Sequence, residues 1–96
     1  KFWEYHDKLF TNQAALAVAD LKQYASQLGL KTSDFNNCLD GSKYKTEVNK
    51  ETAQAQSAGG QGTPFFVIVN TETGDTTSIS GAYPWTQFEA AIKSIQ

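Results

Sequence analysis

Apolar positions in the first half of the chain recur at helical intervals. In KFWEYHDKLF, residues 1–10, Phe2, Trp3, His6, Leu9 and Phe10 share one side of a short amphipathic helix. In NQAALAVADLKQYASQLGL, residues 12–30, Ala17, Leu21, Tyr24, Ala25 and Leu28 fall at i, i+4, i+7, i+8 and i+11. That spacing predicts a second helix, ended by Gly29, which is free to adopt positive φ. TSDFNNCLDG, residues 32–41, reads as a short third helix. Thr32 or Ser33 would cap it, Asp34 favours its first turn and Gly41 stops it, with Phe35, Cys38 and Leu39 as its apolar side. A fourth helix is expected from a Ser42 cap through SKYKTEVNKETAQAQSAGG. Its thin stripe of Tyr44, Val48 and Ala55 leaves it mostly solvated.

The period then changes. Phe65–Val69 is a continuous apolar run that predicts a strand, and TTSIS at 76–80 predicts a second, more polar one. NTETGD between them is a turn, short enough to make the pair an antiparallel hairpin. GAYP is a loop whose Pro84 suits the first turn of a final helix. In that helix Trp85, Phe88, Ile92 and Ile95 form a core-facing stripe. The expected class is therefore α+β: about four helices as a helical subdomain, 1–58, then a hairpin and helix, 59–96. An isolated hairpin is marginal in water. Phe65–Val69, apolar on both faces, suits a central strand with two neighbours, and the chain supplies only one. The pattern looks like part of a sheet whose other strands lie elsewhere.

Composition narrows the function. The 96 residues suffice for one small domain, and 40% hydrophobic with 19% charged residues is a globular balance. All eight cations are lysines, the net charge is −2, and no basic run is present, which argues against nucleic acid and anionic membrane surfaces as partners. No apolar run reaches the roughly 20 residues of a membrane span. Lys1 opens straight into the first helical segment without a signal peptide, and because the first residue is not methionine a processed or cut chain is expected.

Candidate chemistry is sparse. The single cysteine, Cys38, cannot form an internal disulfide or, alone, a zinc site. Beside Phe35 and Leu39 it reads as a small hydrophobe rather than a reactive thiol. His6, among aromatics, reads as packed or partly exposed rather than catalytic. Glu4 and Asp7 read as a solvated helix face, and Asp34 and Asp40 lack further acidic ligands at calcium-loop spacing. Trp3 and Trp85 are expected in the core or a groove. SAGGQG lacks the G-K-[ST] of a phosphate loop. One feature stands out in GQGTPFFVIVN, residues 60–70. A proline at the mouth of a strand cannot donate to the ladder, and it leaves the backbone of the residue before it free.

GTPFFVIVN, a hairpin and GAYPWTQFEAAI resemble the C-terminal half of a DsbA-like thioredoxin-fold protein. KFWEYHDKLF, LGL…F…CLD…KY…V and the small-residue run before GTP are similar to the helical insertion of that family. The resemblance covers nearly the whole chain. It implies an incomplete thioredoxin-like fold from a family of mostly exported thiol–disulfide oxidoreductases, hence an extracytoplasmic setting such as the periplasm or cell envelope. In that family a Thr–cis-Pro pair faces a C-x-x-C motif, and the backbone beside the proline binds an extended polypeptide. Gly62, Thr63 and Pro64 match that substrate-binding loop, which implies a cis Thr63–Pro64 bond and docking by strand addition. No cofactor is implied. The family's C-x-x-C lies before the segment that matches KFWEYHDKLF, so these residues are expected to be truncated before the catalytic unit and inactive alone. Cys38 matches a cysteine of the helical subdomain, not the catalytic pair. Self-association through the uncovered sheet edge is expected. The rival expectation is a non-catalytic peptide-binding or structural module.

Overall fold

The computed structural model describes residues 1–96, which divide into two compact units, Lys1–Thr46 and Glu47–Gln96. The first unit contains α1 (Phe2–Thr11), α2 (Val18–Gln27) and α3 (Thr32–Asp40). Phenols hold its helices together. The Tyr5 hydroxyl donates to the Leu21 carbonyl at 3.1 Å, and the Tyr5 ring packs on Phe35 with centroids 5.5 Å apart. The buried Tyr24 donates to the Ala15 carbonyl at 2.8 Å. Lys22 pairs with Asp40 at 2.8 Å, joining α2 to α3.

Several expectations are corrected here. The inward residues of α1 are Tyr5 and Leu9, one turn apart, whereas Phe2, Trp3 and Phe10 are exposed. Those aromatics stack along the neighbouring side of the helix instead, with His6 centred 5.2 Å from Trp3 and 4.7 Å from Phe10. The second helix begins only at Val18, where the Asp20 carboxylate accepts the Ala17 N–H at 3.0 Å. Thr32 and Ser33 do not cap α3: Thr32 is already helical, and the cap position is Lys31, without a side-chain bond.

Three helices end the same way. After α2, Gly29 takes φ +74 and bonds back to Ser26, while Leu30 bonds to Ala25. After α4 (Lys45–Ser57), Gly59 takes φ +100 and bonds to Gln56, while Gly60 bonds to Ala55. This paired return is the Schellman motif, which uses up orphan carbonyls at a helix end. After α3 the same pair runs from Ser42 to Leu39 and from Lys43 to Cys38. There the left-handed residue is Ser42, φ +50, and Gly41 stays right-handed. Ser42 is therefore the exit of α3 and not the cap of α4. The fourth helix is exposed along its length, as its thin stripe predicts.

The second unit carries the sheet. β1 (Phe65–Val69) and β2 (Thr76–Ser80) pair antiparallel, with Phe65 opposite Ser80 and Val69 opposite Thr76. The turn is tied by Asn70, whose carboxamide oxygen accepts the Glu72 and Thr73 N–H groups. Its amide nitrogen donates to the Ile95 carbonyl at 2.8 Å. α5 (Trp85–Ser94) packs on the hairpin through Phe88, set edge-on to Phe66 at 4.9 Å. Ile79 is buried beneath it. Two details depart from the predicted stripe. Pro84 is the cap residue rather than part of the first turn, and Trp85 is 66% exposed because covering of the hairpin starts one turn later, at Phe88. Trp3, at 67% exposure, is likewise no core residue.

Tyr24, Ala25 and Ile79 are the buried apolar residues, and the chain exposes 7430 Å². Two separate compact bodies, each of half its mass, would expose roughly 6,500 Å² by the usual surface scaling. On the order of 900 Å² is thus open beyond what size alone requires, however the units are arranged.

Candidate functional site

The site grows from the end of α4. The glycine exit at Gly59 turns the chain, and Gly60 brings it against β1. A Cβ on Gly60 would lie 3.0 Å from both the Phe65 ring and the Ala55 carbonyl, so that position needs glycine for close approach. Gln61, Gly62, Thr63 and Pro64 then follow as an exposed loop, and the Thr63–Pro64 peptide is cis. The three sequence-predicted site residues, Gly62, Thr63 and Pro64, are therefore contiguous at the mouth of β1.

Two hydrogen bonds establish which way the strand's backbone faces. The Pro64 carbonyl accepts the Gly81 N–H at 2.9 Å, and the Asn70 N–H donates to Asp75 at 2.8 Å. In an antiparallel pair, hydrogen-bonded and non-bonded positions alternate. Positions 64, 66, 68 and 70 therefore point at β2, and the N–H and C=O groups of Phe65, Val67 and Val69 point to the opposite edge. That edge has no backbone partner, and the backbones of Gln61, Gly62 and Thr63 make no backbone hydrogen bond either. A cavity of about 330 Å³ opens beside it, lined by Ala55, Gln56, Gly60, Gln61, Thr63 and Phe65 among others.

Residues 59–69 contain no Asp, Glu, His, Lys or Cys. This loop and strand offer hydrogen-bond donors and acceptors and no acid, base or thiol side chain. The other candidates stay apart from it in role. Cys38 is half-buried on α3. His6 meets the Asp7 carboxylate at 3.0 Å and has no hydroxyl or thiol nucleophile against it. Asp34 pairs with Lys31 at 3.2 Å and Asp40 with Lys22, which occupies both as ion-pair partners. No group of three His, Cys, Asp or Glu is placed to hold a metal. Burial, and to a lesser extent Tyr24, push the Tyr5 phenol above its ordinary value, a consequence of packing. Sequence reasoning missed Gln56 and Gln61 as cavity walls. Their only signal is their position flanking the glycine pair.

A family model described as a DSBA-like thioredoxin domain matches residues 1–93. The chain belongs to this family. Its five helices and two-stranded antiparallel sheet make a partial thioredoxin-like fold of mixed α+β class. Among curated proteins, a Na(+)/H(+) antiporter NhaA of Herminiimonas arsenicoxydans is 36% identical over 67 residues, 70% of this chain and 11% of the antiporter. The Na(+)/H(+) antiporter NhaA 3 of Salinispora tropica is 33% identical over 67 residues, again 70% of this chain and 10% of that protein. The chain thus spans about a tenth of the length of the curated relatives it matches. No solved structure matches it. No helix of this DsbA-like chain is long and apolar enough to cross a membrane.

Proposed function

We propose that this chain is the substrate-docking part of a DsbA-like thiol–disulfide oxidoreductase, acting outside the cytoplasm. It carries the Gly62-Thr63-Pro64 loop, and the catalytic cysteine pair would belong to another part of the full protein. The division of labour we assign is a helical insertion through residue 58 and a β-β-α portion from residue 59. The observation that carries this reading is the run of unpartnered backbone from Gln61 to Thr63, just before the cis Thr63–Pro64 peptide. An extended polypeptide can pair there as an added strand, main chain to main chain, without any demand on its sequence. With one cysteine the 96 residues cannot cycle between a dithiol and a disulfide. In an insulin-reduction assay the chain alone is expected to give no more turnover than a free thiol. Catalytic turnover above that level, abolished by Cys38→Ser, would overturn the assignment.

A second reading, a non-catalytic peptide-binding or structural module, is favoured by one specific observation. Proteins named as antiporters contain a stretch similar to this chain. The residues encoded before Lys1 in the parent gene separate the two: a C-x-x-C there supports the oxidoreductase, and a different pair supports the module.

A further inference from the structure

The docking loop hangs between two backbone anchors. At its start the Gly60 N–H donates to the Ala55 carbonyl at 2.9 Å, and at its end the Pro64 carbonyl accepts the Gly81 N–H at 2.9 Å. Gln61, Gly62 and Thr63 between them make no backbone hydrogen bond. Proline has no N–H, so its carbonyl is the only backbone group by which Pro64 can be held. The first anchor belongs to the exit of α4, where Gly60 is also set close against the Phe65 ring. The second rests on glycine, the residue with the widest backbone freedom. Gly81 takes φ +129, a region that other residues avoid. The Tyr83 ring lies over the side of Gly81 where a side chain would project, and a Cβ there would be 3.2 Å from the ring edge. Tyr83 itself is half exposed. Pro64, Gly81 and Tyr83 all lie on the β2 side of the hairpin, away from the open edge of β1.

We propose that Tyr83 is a positioning residue for the docking loop, acting through Gly81 on Pro64. The proposal rests on the docking reading above and adds the residue that holds that backbone ready. With the ring in place Gly81 has fewer conformations open to it, and its N–H stays aimed at the Pro64 carbonyl. Thr63 is then tethered on its C-terminal side before a ligand arrives, and binding has less ordering left to supply. Without the ring Gly81 moves among its other conformations and the bond to Pro64 opens more often. The role asks for the ring and not for the hydroxyl, so phenylalanine serves as well as tyrosine.

The test follows a ten-residue, cysteine-free peptide of alternating Thr and Val binding to the 96-residue chain, read from the Gly62 and Thr63 amide shifts. Tyr83→Ala is expected to weaken binding about three- to tenfold, the usual reach of a coupling carried through packed groups. Without peptide, the same variant is expected to exchange its Gly81 amide faster by a similar factor, while Phe66 and Ile68 stay as protected as before. Tyr83→Phe is expected to change neither affinity nor exchange. Unchanged affinity in Tyr83→Ala would overturn the positioning role and leave the docking loop standing. Weaker binding with Gly81 exchange unchanged, or an equal loss in Tyr83→Phe, would make Tyr83 a contact of the peptide and overturn the proposal as well. A peptide that moves neither amide in the unaltered chain would overturn the docking reading and the positioning role with it.

Discussion

The two faces of β1 are nearly equal in composition and unequal in cover, although Phe66 on the packed face still keeps 38% of its surface exposed. Phe66 and Ile68, with Thr77 and Ile79 across the hairpin, lie on the face that α5 covers. Phe65, Val67 and Val69, with Ser80, Ser78 and Thr76 across from them, lie on the other. Of these only Phe65 is partly covered, by Gly60, while Val67 and Val69 stay 49% and 51% exposed. Burial in this hairpin is decided by which layer the chain supplies and not by how apolar the strand is. A strand apolar on both faces, with one face and one edge unused, is shaped for neighbours.

The largest expected effect breaks the covered face. Ile79→Ala should cost about 2–4 kcal/mol in urea denaturation, whereas Val67→Ala should stay within about 0.5 kcal/mol. Equal costs would mean that the open face is covered in solution. A covered contact in the first unit extends the comparison. Tyr5→Phe removes the bond to Leu21 and should cost about 1 kcal/mol. Because the folded state raises the Tyr5 pKa, it holds that proton longer than the unfolded chain does. Its contribution to stability is complete below about pH 10 and is lost as pH rises beyond that value. The variant should show a flatter alkaline decline in stability by circular dichroism.

Smaller effects follow. Ser42→Gly relieves a left-handed non-glycine residue and should raise stability by about 0.5–1 kcal/mol in the same denaturation assay. Val67→Lys with Val69→Lys should change stability by less than about 0.5 kcal/mol. If the open strand drives self-association, the double variant should lower the sedimentation-average mass at high protein concentration. An unchanged mass would place association elsewhere or nowhere.

Much of this was legible in the sequence. The change of period at Phe65 announced the hairpin, and Gly29 marked a helix exit that the backbone uses. What was not legible depends on partners and geometry. Hydrophobicity places Trp3 and Trp85 inward, but nothing in either unit covers them. Two adjacent small residues, Gly41 and Ser42, could each end α3, and the return bonds to Leu39 and Cys38 select the serine. Tyr5 escaped notice because its role needs the Leu21 carbonyl, sixteen residues away. Gly62, Thr63 and Pro64 were singled out by the free backbone before a proline and by family resemblance. The cavity walls at Gln56 and Gln61 needed the fold of the α4 exit.

The central claim is that the loop before Pro64 presents free backbone to an extended peptide. Amide hydrogen exchange on the 96-residue chain tests it directly. Without ligand, Phe66, Ile68 and Asn70 should exchange slowly, and Thr63, Phe65, Val67 and Val69 quickly. Adding an extended peptide should slow Gly62 and Thr63 while leaving Phe66, Ile68 and Asn70 unchanged. Protection of Gly62 and Thr63 before any peptide is added, or no change in them at saturating peptide, would contradict the account.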